Sequence, residues 1–277
     1  MDTNTVELVV SDLDGTLLDD GKRISEENLN AVRFLAERGI AFSLCSGRPE
    51  GMTRAYIKQA AVTFPVICCN GSFIYDPVND KVLSSTVFPE KVFWRLTEFS
   101  FASCFDYLAY TADTIYYSLN SMRINVIRAY NHYAEQTGCR PVILKPVNNI
   151  ESIPADKVIK ILITELHGND QQKAAQFVSA EKDVYAEPSA AGLFDLMPCG
   201  VSKGTGVQYL AEYLGIHMQN VCVLGDNDND VSMMQAAGMS VCIANGTESA
   251  KKAASYVTHK KNNEDGFAEG IFHFIKQ

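Results

Sequence analysis

Two aspartates separated by a single residue, Asp12 and Asp14, follow directly on the apolar run at residues 6–11. A second acidic run, GDNDND at 225–230, ends another apolar run in the same way. Carboxylates this close raise one another's pKa and oppose folding unless a cation offsets their charge. Oxygen donors of this kind favour Mg²⁺. The pattern therefore predicts a divalent-cation site, although each run taken alone is equally typical of a turn or of a helix N-terminus.

Two further groups of candidate residues lie at similar points of the sequence. Ser46, Gly47 and Arg48 stand at the end of the second apolar run and offer a hydroxyl, a small backbone and a cation. Lys203 opens a helical pattern and can hold a phosphate group as a point charge. A lone lysine at a helix start is more often solvated, so this assignment depends on the other motifs.

Short apolar runs alternate with helical patterns at both ends of the chain. This alternation with short connections is typical of a parallel sheet covered by helices. Ligands bind at the carboxyl ends of such strands, so the candidate residues are expected to meet at one edge of the sheet. The predicted strands are 6–11, 40–46, 65–69, 221–225 and 239–246, and the predicted helices are 25–39, 49–60, 203–215 and 230–238.

The sequence changes character in its middle part. Aromatic residues become frequent, as at 99–118, and prolines separate short segments, of which 158–165 is a predicted strand. We therefore predict an α/β protein in which a Rossmann-like parallel-sheet domain is split by an inserted α+β domain. The parallel-sheet domain is assigned to residues 1–84 and 190–277, and the insertion to 85–189.

Composition and charge limit the possible partners. The chain has 277 residues, 47% of them hydrophobic, and a net charge of −9 at pH 7. The negative charge argues against broad contacts with nucleic acid or anionic membranes, and no run approaches the roughly 20 apolar residues that span a bilayer. The N-terminus lacks a basic signal-peptide start, and the eight cysteines form no CxxC pair, so we expect a cytoplasmic protein with free thiols. The sequence does not indicate the oligomeric state, and a monomer is compatible with it.

Four short motifs, DLDGTLLDD, SGRP, KG and GDNDND, resemble in this order the four motifs of the haloacid dehalogenase (HAD) superfamily. The stretches at 70–76, 195–210, 241–258 and 262–266 resemble the Cof-type branch, subfamily IIB, in which a large C2-type cap domain follows the second motif. One stretch departs from that branch, because IANG stands around Asn245 where the branch often has MGNA.

The resemblance implies a role for each matching residue. Asp12 would be the nucleophile, and Asp14 the general acid and then the general base. Mg²⁺ would be held by Asp12, the backbone carbonyl of Asp14 and Asp226, with Asp230 close by. Lys203 would stabilise charge during catalysis. The residues assigned to phosphate or substrate binding are Ser46, Gly47, Arg48, Asn70, Gly71, Lys203 and Asn229.

The expected activity is Mg²⁺-dependent hydrolysis of small-molecule phosphate monoesters, sugar phosphates foremost, through an aspartyl-phosphate on Asp12. A phosphomutase, a phosphatase of a phosphorylated cofactor such as pyridoxal phosphate or flavin mononucleotide, and a non-catalytic sugar-phosphate sensor remain open alternatives. The insertion offers candidate contacts to the leaving group at Tyr117, Arg123, Lys145 and Glu187.

Overall fold

A computed structural model describes residues 5–164, 166–190 and 192–275, without the side chains of residues 187–190. The chain divides into two compact units. The first consists of Met1–Gly47, Tyr56–Leu83 and Ser202–Gln277. The second consists of Arg48–Ala55 and Ser84–Val201.

Fourteen strands and nine α-helices are found among the described residues. The strands are β1 (Leu8–Ser11), β2 (Ala41–Leu44), β3 (Val66–Cys68), β4 (Phe73–Asp76), β5 (Lys81–Ser85), β6 (Asp106–Tyr110), β7 (Thr114–Ser118), β8 (Ile143–Val147), β9 (Lys160–Thr164), β10 (Val184–Ala190), β11 (Leu193–Pro198), β12 (Val221–Gly225), β13 (Met239–Cys242) and β14 (Tyr256–Val257). The helices are α1 (Glu26–Glu37), α2 (Arg54–Gln59), α3 (Glu90–Ala102), α4 (Ile124–Gln136), α5 (Asn169–Ser179), α6 (Lys203–Leu214), α7 (Val231–Ala236), α8 (Glu248–Ala253) and α9 (Gly266–Phe274). None of the described helices is long and apolar enough to cross a bilayer.

The first unit is built on a five-stranded parallel sheet in the order β14-β13-β12-β1-β2. Strand β1 lies inside it, and Val9 is in register with Cys222 on one side and Phe42 on the other. All residues of β1, β2, β12 and β13 are buried, which explains why these strands are predominantly apolar runs without strict alternation. The predicted α/β fold with a parallel sheet is confirmed.

Capping residues mark the two helices that frame this sheet. The Ser25 side chain accepts a hydrogen bond from the Asn28 N–H at the start of α1. Ser202 and Thr205 form a reciprocal capping box at the start of α6, and Gly215 ends that helix in the left-handed conformation. Both helices therefore lie within the predicted ranges 25–39 and 203–215.

The predicted helix at 49–60 is wrong as a continuous element. A short 3₁₀ turn at Glu50–Met52 precedes α2, which begins only at Arg54. The Thr53 hydroxyl donates to the Glu50 carbonyl, and such a local side-chain bond competes with regular helix geometry.

The predicted third strand, 65–69, forms only in part as a parallel strand. Strand β3 meets the parallel sheet through a single bridge between Cys45 and Ile67 and otherwise pairs antiparallel with β4. Cys69 and Asn70, which follow it, both have positive φ, so the backbone turns away from the direction of the parallel strands.

The second unit contains a six-stranded sheet in the order β10-β11-β9-β6-β7-β8. All its described pairings are antiparallel except that of β7 with β8. One face of the sheet joins α3 and α5 in an apolar cluster that includes Phe93, Ile161 and Leu196. Strand β11 pairs with β9, so this unit extends to Val201, beyond the predicted end of the insertion at residue 189.

Gly204 allows α6 to pack closely against α7. A Cβ atom at this position would lie 2.5 Å from the backbone oxygen of Ser232, and the Gly204 N–H donates to the Ser232 hydroxyl at 3.0 Å. Because Gly204 follows Lys203 directly, the close packing of the two helices also positions the backbone of Lys203.

We expect Gly204→Ala to destabilise the protein by about 1–3 kcal/mol through overpacking, although alanine favours a helix over glycine by about 1 kcal/mol. The free energy of unfolding in urea measures the effect. Gln208→Ala, at an exposed position of the same helix, is the matched control and should be close to neutral. A Gly204→Ala protein as stable as the control would contradict the close packing of α6 on α7.

Candidate active site

A buried lysine joins two carboxylates at the centre of the first unit. The Lys203 ammonium lies 2.6 Å from Oδ1 of Asp12 and 2.6 Å from Oδ1 of Asp230. Lys203 is 1% exposed, Asp12 5% and Asp230 0%. Charged groups are rarely buried to this extent unless they are paired, so these three side chains form one electrostatic unit.

The parallel strands and the following loop bring these side chains together. Asp12 follows β1, and its N–H donates to the Leu224 carbonyl of β12. Asp226 follows β12, and its N–H donates to Oδ2 of Asp230 at 2.8 Å. The Asn227 N–H donates to the same oxygen at 2.9 Å. Asp230 therefore fixes both the Lys203 ammonium and the backbone that carries Asp226.

Burial and like charges shift the ionisation of these groups. Burial raises the pKa of Asp12 to about 7, a rise that Lys203 opposes and that Asp230 and Asp14 reinforce. Burial also raises the pKa of Asp226 to about 8, with the charges of Asp12 and Asp230 adding to it. Burial alone would lower the pKa of Lys203, but the two carboxylates hold it well above its usual range. The lysine therefore remains a cation, and the negative charge of the three carboxylates exceeds its charge once they are ionised.

Three carboxylates lie close enough to share a metal ion. Asp12, Asp226 and Asp230 each offer one oxygen, and these oxygens lie within 4.8 Å of one another. The side chain of Asp14 is not part of this group, and its Oδ1 lies 2.7 Å from the ammonium of Lys22. Carboxylate oxygens are hard donors that suit Mg²⁺, so the donor set fits the ion that the sequence predicts.

Thr16 and Gly15 shape the other side of the Asp226 carboxylate. The Thr16 hydroxyl donates to Oδ1 of Asp226 at 2.8 Å. Gly15 has a φ of +82°, and a Cβ there would lie 2.4 Å from Oδ2 of Asp226. Only glycine combines this backbone conformation with such a close approach. The turn after the two aspartates is thus packed directly against the carboxylate from the distant strand β12.

Four of the predicted phosphate-binding residues surround a second polar corner of this unit. The Asn70 N–H donates to the Ser46 carbonyl at 3.0 Å, and the Asn229 amide donates to Oδ1 of Asn70 at 3.2 Å. A Cβ at Gly47 would lie 3.0 Å from the same Asn70 oxygen. The side chain of Asn70 is thus held between the ends of β2 and β12.

Two further candidates for phosphate binding are Gly71 and Arg48. Gly71 has a φ of +103° and packs on the backbone of Ser202, which precedes Lys203. Arg48 is a residue of the second unit, so its predicted phosphate contact stays a prediction.

The candidate leaving-group residues also lie in the second unit. Tyr117 is on β7 and accepts a hydrogen bond from the Arg128 guanidinium at 3.4 Å. Lys145 is on β8, with its ammonium 5.7 Å from the centre of the Tyr116 ring. Arg123 directly precedes α4, and the side chain of Glu187 lies outside the described residues. Their contacts to a substrate stay predictions.

Sequence reasoning missed three residues of the site, namely Thr16, Lys22 and Asn245. Thr16 was visible as part of the DGT motif, where a hydroxyl after two aspartates is a signal for carboxylate contact. Lys22 has no such signal, because its position depends on the left-handed backbone of a short turn (φ +60°). Asn245 stands in the one stretch that departs from the Cof-type pattern, and its amide donates to the Gly15 carbonyl at 2.9 Å.

Known proteins match this chain over nearly its whole length. The model of the haloacid dehalogenase-like hydrolase family matches residues 9–271. The 5-amino-6-(5-phospho-D-ribitylamino)uracil phosphatase YitU of Bacillus subtilis is 28% identical over 279 residues, which cover 98% of this chain and 96% of that protein. The pyridoxal phosphate phosphatase YbhA of Escherichia coli is 29% identical over 273 residues, which cover 97% and 98%.

A solved structure supports the same assignment. A haloacid dehalogenase-like hydrolase from B. subtilis superposes with a TM-score of 0.85 at 26% identity and covers 98% of this chain and 100% of that one. The fold, the motif order and the family match all agree with the resemblance found in the sequence. This chain belongs to the haloacid dehalogenase-like hydrolases.

Proposed function

We propose that the protein is a Mg²⁺-dependent phosphatase that hydrolyses phosphate monoesters of small molecules through an aspartyl-phosphate on Asp12. The observation that carries this proposal is the buried contact of Asp12 with Lys203, next to Asp226 and Asp230. This arrangement would combine a nucleophile, a fixed cation and a carboxylate metal site at the carboxyl ends of the parallel strands, where ligands bind in such folds.

Charge balance supports a divalent cation. When ionised, Asp12, Asp226 and Asp230 carry three negative charges against the single positive charge of Lys203. A divalent cation would neutralise the difference, and the hard oxygen donors favour Mg²⁺. When bound, the ion would screen the charge of the phosphoryl oxygens and so favour attack on phosphorus. Asp12, Asp226 and the backbone carbonyl of Asp14 would hold it, with Asp230 fixing the backbone N–H groups of Asp226 and Asn227.

The two aspartates after β1 would divide the chemistry. In the first step an oxygen of Asp12 forms a bond to phosphorus while the bond from phosphorus to the leaving oxygen breaks, and Asp14 gives its proton to that oxygen. In the second step Asp14 takes a proton from water, the water oxygen bonds to phosphorus, and the bond to Asp12 breaks. Inorganic phosphate and the free Asp12 carboxylate are the products. Lys203 stays protonated throughout and stabilises the anionic groups.

The relatives support small phosphate esters as substrates. The names of two of them specify phosphatases, one of a ribitylamino-uracil phosphate and one of pyridoxal phosphate. Both substrates are small monoesters, so we propose the same class here, with sugar phosphates and phosphorylated cofactors as the first compounds to assay.

All eight cysteines are free, which agrees with a reducing compartment such as the cytoplasm.

We expect Asp12→Asn to lower phosphatase activity at least about a thousand-fold, because the amide is a poor nucleophile in a site whose other parts remain in place. Phosphate release from a panel of sugar phosphates, pyridoxal phosphate and nucleotides measures the loss. Asp228→Asn is the control, because Asp228 lies in the same acidic run but accepts hydrogen bonds from Thr247 and Ser249. Near wild-type release by Asp12→Asn would exclude Asp12 as the nucleophile.

We expect Asp14→Asn to slow the hydrolysis of alkyl phosphates about a hundred- to ten-thousand-fold, the usual contribution of general acid–base catalysis. With p-nitrophenyl phosphate the leaving group departs without a proton, so the first step should persist and the second should fail. Rapid mixing should then show a burst of nitrophenol close to one per protein, followed by slow turnover. A variant that hydrolyses both esters at the wild-type rate would contradict the acid–base role of Asp14.

The raised pKa values predict how stability depends on pH without divalent cations. A carboxyl group whose pKa is raised in the folded protein stabilises it at low pH, and this contribution is lost as the pH passes the folded pKa. For Asp12 and Asp226 the ordinary value is 3.8 and the folded values are about 7 and about 8. In EDTA, we therefore expect the unfolding temperature to fall as the pH rises from about 4 to about 8.

Added Mg²⁺ should restore stability mainly at the upper end of this range, where the carboxylates are ionised in the folded protein. Differential scanning calorimetry in EDTA and in Mg²⁺ measures both effects. The double variant Asp12→Asn with Asp226→Asn is the control and should lose most of the pH dependence. A stability in EDTA that rises from pH 4 to 8 would contradict the proposed charge excess of the cluster.

A further inference from the structure

Asn245 connects the two strand ends that carry the carboxylates. Its side-chain amide donates to the Gly15 carbonyl at 2.9 Å and lies 3.5 Å from Oδ2 of Asp226. The loop around it also holds the backbone of Asp226, because the Thr247 N–H donates to the Asp226 carbonyl at 2.8 Å. Asn245 thus contacts the turn after β1 and the carboxylate after β12 at the same time.

The orientation of this amide is fixed by groups that have only one hydrogen-bonding role. The Asn262 backbone N–H can only donate, and it donates to Oδ1 of Asn245 at 2.9 Å. The Gly15 carbonyl can only accept, so the Asn245 nitrogen must face it. Asn245 is itself exposed, and these two hydrogen bonds hold its amide from both ends.

Asn262 anchors the same turn at a second point. Its side-chain amide donates to the Leu18 carbonyl at 3.1 Å and to Oδ1 of Asp20 at 3.0 Å. Leu18 in turn forms a bridge with Asp14. Asn262 is 5% exposed, so this anchor is shielded from competing water. The segment that carries Asp14 and Gly15 is therefore tied by two asparagines, Asn245 in the loop after β13 and Asn262 in the loop after β14.

We propose that Asn245, oriented by Asn262, is a positioning residue for the carboxylate cluster and sets the affinity of the site for its divalent cation. This inference rests on the proposed function, in which Asp226 and the Asp14 carbonyl hold Mg²⁺. Asn245 touches the first of these and binds the carbonyl next to the second. Partners that orient metal-binding groups typically contribute about 10- to 100-fold to metal affinity. Asn245 takes no part in the proton transfers assigned to Asp14. Its loss should therefore affect metal binding far more than the chemical step.

The test compares Asn245→Ala with Asn263→Ala. Asn263 is the matched control, because it directly follows Asn262 and its side chain bonds to Asp20, close to the same turn, and not to Asn245 or Asp226. Isothermal titration of the substrate-free proteins with MgCl₂ gives the Kd, and unfolding in EDTA reports on the fold. Phosphate release against MgCl₂ concentration gives kcat at saturating metal.

We expect Asn245→Ala to raise the Kd for Mg²⁺ about tenfold or more, with stability in EDTA lowered no more than in Asn263→Ala and a kcat at saturating Mg²⁺ close to that of the wild type. Asn263→Ala should bind Mg²⁺ as the wild type does. An unchanged Kd in Asn245→Ala, or an equal increase in both variants, would overturn the positioning role while leaving the phosphatase proposal intact. A wild-type protein that binds no Mg²⁺ would overturn the metal proposal and this inference together.

Discussion

The structure of the first unit depends on the burial of several carboxylates around one lysine. Taking charges out of water is costly, and an ion pair repays that cost only when geometry and hydrogen bonds are favourable. Asp230 meets this condition, because one oxygen contacts Lys203 and the other accepts two backbone N–H groups. Lys203 stands in the first turn of α6, where the helix dipole disfavours a cation. Its position is therefore explained by the carboxylates and not by the stability of its own helix.

The loop after β3 contains a strained stretch of backbone. Cys69 and Asn70 both have positive φ, and Asn70 is completely buried. Left-handed backbone costs a residue other than glycine of order 1 kcal/mol or more. The cost is offset by packing and by hydrogen bonds, since the Asn70 N–H bonds to Ser46 and its side chain to Asn229. These hydrogen bonds hold Asn70 in its left-handed conformation between Ser46 and Asn229.

The sequence was sufficient to predict the parallel sheet, the helices at 25–39 and 203–215 and the family, because each follows from local patterns. Continuous apolar runs define strands buried on both faces, and capping residues act within one turn of a helix. Local patterns could not reveal the break before α2, where a single threonine hydroxyl competes with the helix. Nor could they reveal contacts such as that of Thr16 with Asp226, which joins residues far apart in the chain. The roles of the site residues rest on the resemblance and remain proposals, although the structure brings Asp12, Lys203, Asp226 and Asp230 together.

The different surroundings of Asp12 and Asp14 account for the division of their proposed roles. The side chain of Asp12 is 8% exposed and is paired with a lysine that is itself 1% exposed. The side chain of Asp14 is 37% exposed and is paired with Lys22, which is 53% exposed. A nucleophile reacts best when it is desolvated and held in one orientation, whereas an acid–base group must exchange protons with a leaving group and with water. In the proposed mechanism, two identical side chains one residue apart would therefore be adapted to different steps of the same reaction by their burial and by the cation that each of them meets.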